Sequence, residues 1–227
     1  MDWVHHFHHL CHPFNLLQMS ILIVALEYLE PEWEQTMADI EATGLPFEIV
    51  SRDGVGNMSR AYNSILMDPT WKADYLWFVS NIRFDADVPF KLAQTLDRTG
   101  WAGLHPAMPT SDHHTHHLHP IGEHKECPFI EWTAPMVRSE VFANEPLDEM
   151  LPYYYMDLDW SYRIRQQGKK VGVDHSTQIR HTYLRNFDQE HPISRIRKQL
   201  RAYWTPISQN HMEQKWGKDW TTKLWPK

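Results

Sequence analysis

A chain of 227 residues, 42% hydrophobic and 13% aromatic, has the apolar surface for a packed core, which excludes disorder for the bulk of it. A net charge of −7 lacks the basic footprint that a general nucleic-acid binder needs. No linker divides the chain, so one domain is expected.

The first 18 residues carry His5, His6, His8, His9 and His12, but neither the basic start nor the small-residue cleavage site of a signal peptide. They read as a His-rich appendage ahead of a domain over 19–227. Ile21 to Leu26 is short, branched and continuous, the pattern of a strand buried on both faces. It falls well below the roughly 20 apolar residues of a membrane-spanning helix. Pro31 opens a helix in which Trp33, Met37 and Ile40 recur at helical spacing, and Gly44 closes it. Phe47 to Val50 is a second strand, followed by the glycine-punctuated turn Arg52 to Gly56. Met58, Ala61, Tyr62, Ile65 and Leu66 then share one helical stripe. Asp74 to Val79 is a third buried strand, and Pro89, Phe90, Ala93 and Leu96 mark a third helix. Strand alternating with helix is the pattern of parallel crossover units, with ligands at the carboxyl ends of the strands.

Trp101 to Pro109 reads as a strand with an extended exit. Ser111 to Glu126, rich in histidine and without periodicity, reads as a surface loop. Phe129 to Phe142 resumes an apolar pattern, and a helix starts near Asp159 and ends at Gly168. Lys170 to Val173 is a short strand. Ile193 to Tyr203 is an amphipathic helix whose Arg195, Arg197, Lys198 and Arg201 form a basic, solvated face. The two cysteines, Cys11 and Cys127, show no disulfide or zinc spacing and suit a reducing, cytoplasmic setting.

Leu147-Asp148-Glu149, then Tyr153 to Asp159, then Arg163 resembles a segment of the family 2 glycosyltransferases of the GT-A fold. There it reads Phe-Asp-Glu, aromatic residues, Glu-Asp-x-Asp, apolar residues, Arg. Phe129 to Trp132 with Met136 to Phe142, Gly168 to Val171, Ile179 to His181 and Lys215-Trp216-Gly217 are similar to its flanking elements, over about residues 20–218. The resemblance implies a single GT-A-like, Rossmann-like α/β domain with a mixed, mainly parallel sheet flanked by helices. Its nucleotide-binding half would cover about 19–100, its acceptor and catalytic half 101–190, and a helical tail 191–227.

The activity implied is inverting transfer of a sugar from a nucleotide diphosphate donor, most simply a UDP-sugar, to an unidentified acceptor. A catalytically degenerate nucleotide-binding protein on the same fold is the alternative. Asp157 corresponds to the family's general base, after an aromatic run that would dry its pocket and raise its pKa. Its other reading is a helix cap, the role assigned to Asp159. Met156 stands where the family carries Glu. Ala25 and Glu27 at the end of the first strand, Asp53 in the turn, and Arg60 and Asn63 on the next helix would serve the nucleotide. Asn81 occupies the position of the acid that holds Mn2+ or Mg2+, with His181 completing that site. Asp85-Ala86-Asp87 matches a metal motif as text, but Asp87 before Val88-Pro89 reads as a helix cap. Trp132, His113 and His114 fall on the acceptor side. For the histidines from His113 to His124, surface, acceptor contact and adventitious metal binding are all open readings.

Overall fold

A computed structural model describes residues 19–27, 33–51, 56–68, 70–109, 124–181 and 192–224, with 192–197 as backbone only. The His-rich appendage, Asp53, His113 and His114 lie outside the described residues.

Strand β1 (Ile21–Leu26) pairs in parallel with β2 (Phe47–Val50) and β3 (Tyr75–Val79), linked by α1 (Trp33–Ala42) and by α2 (Met58–Asn63), which tightens into a 3-10 turn over Ser64–Met67. These are the expected crossover units. β3 is followed at once by β4 (Ile82–Phe84), a short strand the sequence pattern does not announce. Next come α3 (Val88–Thr99), β5 (Gly103–Ala107), β6 (His124–Glu126), β7 (Met136–Arg138) and α4 (Ser139–Asn144). The chain continues through α5 (Met156–Gln166), β8 (Val171–His181), α6 (Pro192–Trp216) and α7 (Trp220–Leu224). The sheet order is β2-β1-β3-β7-β5-β8-β4, with β6 also on β8. The pairings align β1, β2, β3, β5 and β8, with β4, β6 and β7 opposed.

Both faces of the sheet are covered, as the continuous apolar run in β1 requires. Leu22, Val24 and Leu26 point into one cluster with Tyr62, Phe142, Trp160 and Trp220, and Ile21, Ile23 and Ala25 into another with Ile40, Leu92 and Leu96. Each fully buried large apolar side chain contributes about 1.5–3 kcal/mol.

Four expectations change. Helix α5 begins at Met156 rather than near Asp159, because Tyr155 adopts φ +67° and turns the chain into the helix. The end of the histidine-rich segment forms β6, hydrogen-bonded to Gly172–Asp174 rather than looping out. β8 runs on to His181, with a register shift between Pro106 and Ala107 of β5, and its polar run Asp174 to Thr177 hides this continuation. Helix α6 extends to Trp216 despite Pro206 inside it. Among the described residues, no helix is long and apolar enough to cross a membrane.

Candidate functional site

The carboxyl ends of β1 and β3 form the floor of the site. Ala25 is fully buried, with Ile49 and Val79 as its register partners. Glu27 stands just past the strand. Its N–H donates to the Val50 carbonyl (2.9 Å) and its carboxylate accepts from Ser51 Oγ (2.5 Å).

Helix α2 enters beside this floor, capped by Asn57, whose Oδ1 accepts from the Arg60 N–H (2.9 Å). Arg60 is exposed and pairs with Glu149 (3.1 Å). Asn63 donates to the Leu147 carbonyl (2.8 Å) and accepts from the Leu147 N–H (3.0 Å), so its amide holds the 147–149 loop. Met58 N–H donates to Pro152 O (2.7 Å) and Ser59 Oγ to Leu151 O (2.6 Å). Segment 145–152 thereby fastens α2 to α5.

Asp157 lies in the first turn of α5. The residue keeps some exposed surface, but its carboxyl is surrounded by protein atoms. Burial pushes it up to about 6, against the opposing hydrogen bond from the Leu158 N–H (2.9 Å). Just ahead, Tyr153, Tyr154 and Tyr155 are half-buried. Tyr155 and Asn81 (φ +40°) are the two non-glycine residues at positive φ among those described. Such geometry costs on the order of 1–3 kcal/mol and gathers at functional sites. Helices α6 and α7 hold Tyr155: Gln209 donates to its hydroxyl (3.1 Å) and the Trp220 ring packs edge-on at 4.9 Å.

Asp159 is not a cap. It is fully buried and accepts from Arg163 Nε (3.0 Å), Lys215 Nζ (2.8 Å) and Trp216 Nε1 (2.8 Å). Lys215 also reaches Asp148 (2.7 Å), as does His211 (2.9 Å). Burial raises the Asp148 pKa, but the bonds from Lys215, His211 and the Met150 N–H outweigh it and leave the group at about 2. The Lys215-Trp216 tail motif is thus a clamp on α5 and the 145–152 segment. Asp87 does sit at the cap position of α3, but its side chain makes no capping bond and pairs with Lys91 (2.6 Å).

Asn81 is fully buried after β3, and its positive φ turns the chain into β4, where Ile82 registers with His181. The fold therefore brings Asn81 and His181 together. His105, which the sequence reading overlooked, lies nearby in β5. Burial first, and then the charge of His181, lower its pKa to about 3 against a bond to the Pro106 carbonyl, so it stays neutral. Its Nε2 bonds Thr133 Oγ1 (2.8 Å), and the Thr133 carbonyl accepts from the Ser80 N–H (3.0 Å). A histidine inside the buried run Gly103 to Ala107 was the available signal.

Among the described residues, this donor set is a poor fit for Mn2+ or Mg2+. Mn2+ and Mg2+ favour charged oxygens, whereas Asn81 offers a neutral amide and His181 an imidazole. Asp85 and Asp87, the carboxylates that follow, are exposed, and no three His, Cys, Asp or Glu side chains converge for a metal among the described residues. Trp132 lies in the core against Phe78, Phe142 and Trp160 rather than on an acceptor surface, its Nε1 buried without a partner among the described residues.

No protein-family model matches the sequence, and no curated protein matches it. Solved structures do. GalNAc-T7 with UDP, GalNAc and Mn2+ is 9% identical, with TM-score 0.60 over 88% of this chain and 51% of that one. The chain thus spans about half of that structure. A Drosophila β1,4-galactosyltransferase 7 mutant with manganese, UDP-Gal and xylobiose is 13% identical, with TM-score 0.54 over 76% of this chain and 73% of that one. With the mixed, mostly parallel sheet, these likenesses show that the chain has a GT-A fold.

Proposed function

We propose that this chain is a glycosyltransferase that moves a sugar from a nucleoside diphosphate donor, UDP-linked, to an acceptor hydroxyl with inversion, as in the family 2 enzymes its motifs resemble. The observation that carries the reading is Asp157, a covered carboxyl with a pKa of about 6 at the start of α5. Its carboxylate takes the acceptor proton while the acceptor oxygen bonds to the anomeric carbon. The anomeric C–O bond breaks, and its electron pair leaves on the nucleoside diphosphate. Ala25, Glu27, Asp53 and Arg60 border the donor, and Asn63 serves by fixing the 147–149 loop. His113 and His114 serve the acceptor side, while Trp132, expected there, is taken up by the core instead. The UDP and UDP-Gal in the two GT-A neighbours support a uridine donor, and the free, buried Cys127 supports a cytoplasmic setting.

A nucleotide or nucleotide-sugar binder without turnover is the second reading. Met156 favours it, because its sulfur accepts from Ser59 Oγ (3.3 Å) where the family carries Glu. The test is UDP release from a panel of UDP-sugars. Asp157→Asn is expected to reduce turnover by about 10²–10⁴-fold while leaving UDP affinity in place. The wild-type rate should rise with pH through about 6, as the carboxylate forms. Turnover indifferent to Asp157→Asn sinks the assignment, and UDP binding with no turnover on any sugar favours the second reading.

A further inference from the structure

A nucleoside diphosphate brings several negative charges into a partly dry cleft, and they need positive charge opposite them. The donor atoms at Asn81 and His181 do not suit the divalent metal that would otherwise supply it. Most cations bordering the site are already engaged: Arg60 with Glu149, Arg163 with Glu145 and Asp159, Lys215 with Asp148 and Asp159. Arg201 of α6 is different. No carboxylate among the described residues pairs with it, its side chain is exposed, and its guanidinium rests 5.7 Å above the ring of Tyr154.

Helix α6 holds that guanidinium between the two halves of the site. On one side Leu200 packs over Gly56, where an added Cβ would lie 3.4 Å from its Cδ1. Gly56 lies three residues after Asp53 and immediately precedes Asn57, the cap of α2. On the other side Gln209 holds Tyr155, two residues before Asp157. A guanidinium stacked on a tyrosine keeps its planar edge of N–H donors open, and that edge matches two phosphate oxygens.

We propose that the site binds the diphosphate of its donor without a divalent metal ion, with Arg201 supplying the opposing charge. This rests on the donor-site reading above and adds to it what neutralises the leaving group. The experiment is calorimetric titration of UDP into wild type, Arg201→Lys and Arg201→Ala, each in EDTA and in Mn2+, with GDP and dTDP alongside. Wild-type affinity for UDP should agree within about twofold between EDTA and Mn2+. Arg201→Ala should weaken it about tenfold or more, and Arg201→Lys should recover part of the loss. Because Arg201 is exposed, all three proteins should share one unfolding temperature, which separates lost binding from lost fold. UDP binding that requires Mn2+ overturns the proposal and leaves the donor-site reading standing. Affinity in EDTA unchanged by Arg201→Ala overturns the role of Arg201. Failure of every nucleotide to bind, with or without Mn2+, overturns the donor-site reading and the proposal together.

Discussion

Asp157 and Asp159 sit two residues apart on one helix, yet their surroundings give them opposite duties. Burial without a cationic partner lifts Asp157 to about 6, so its ionised form is disfavoured in the folded chain. A carboxyl with a raised folded pKa costs stability as pH climbs from about 4 through 6. Asp157→Asn should therefore unfold at the same temperature as wild type or higher at pH 7.5, even as turnover is lost, and a lowered melting temperature would count against this. Asp159 is buried among three donors, so the danger lies in taking a donor away. Lys215→Met strips a cation from both Asp159 and Asp148 and should cost about 3 kcal/mol in urea unfolding. The motif around Asp157 was legible because its residues are contiguous. The duty of Asp159 was not, since Lys215 and Trp216 lie more than fifty residues downstream, and no local pattern links them.

Among the elements, the parallel strands β1 and β3 were readable because burial on both faces leaves an unbroken apolar signature, and the half-exposed edge strand β2 by its place between a helix and a turn. β4, β6 and the far half of β8 escaped because each is short or polar and owes its pairing to partners distant in sequence. Gly172 shows how tight that region is: a Cβ there would come within 2.5 Å of the Lys125 carbonyl oxygen and closer still to the Trp101 ring. Because backbone stands in the way, repacking cannot fully relieve the clash. Gly172→Ala is expected to destabilise the fold by at least the 1–3 kcal/mol typical of overpacking, read by thermal or urea unfolding. A loss under about 0.5 kcal/mol would mean that β6 does not seat on β8 as described. Helix α6 was half seen: the amphipathic pattern was followed over Ile193 to Tyr203, while the helix runs on to Trp216 through Pro206. Thr205 Oγ1 donates to the Arg201 carbonyl at 2.7 Å in the turn beside that proline.

Across the whole molecule, the clamp of His211, Lys215 and Trp216 joins α6 to α5, and segment 145–152 passes that connection to α2. The two halves of the site are thus held by one charge network as well as by the sheet. Asp148 is the acid-sensitive member. Its pKa is lowered from 3.8 to about 2, so its contribution is present above about pH 4 and disappears as pH falls through 2. Roughly 2 kcal/mol should be lost across that window, and Asp148→Asn should flatten this part of the stability profile; an unchanged slope would remove Asp148 from the clamp.

The distance of that clamp along the chain bears on how the protein is made. Residues leave the ribosome from the amino end, so the strands through β3, and later α5, are complete while Lys215 and Trp216 are still being added. Until those last turns emerge, Asp148 and Asp159 have only part of their donors, and the nascent α5 carries a carboxylate it cannot bury without penalty. The part of the fold around α5 can therefore lock only once Lys215 and Trp216 have been made, which ties the finished arrangement to the arrival of the helix that closes over it.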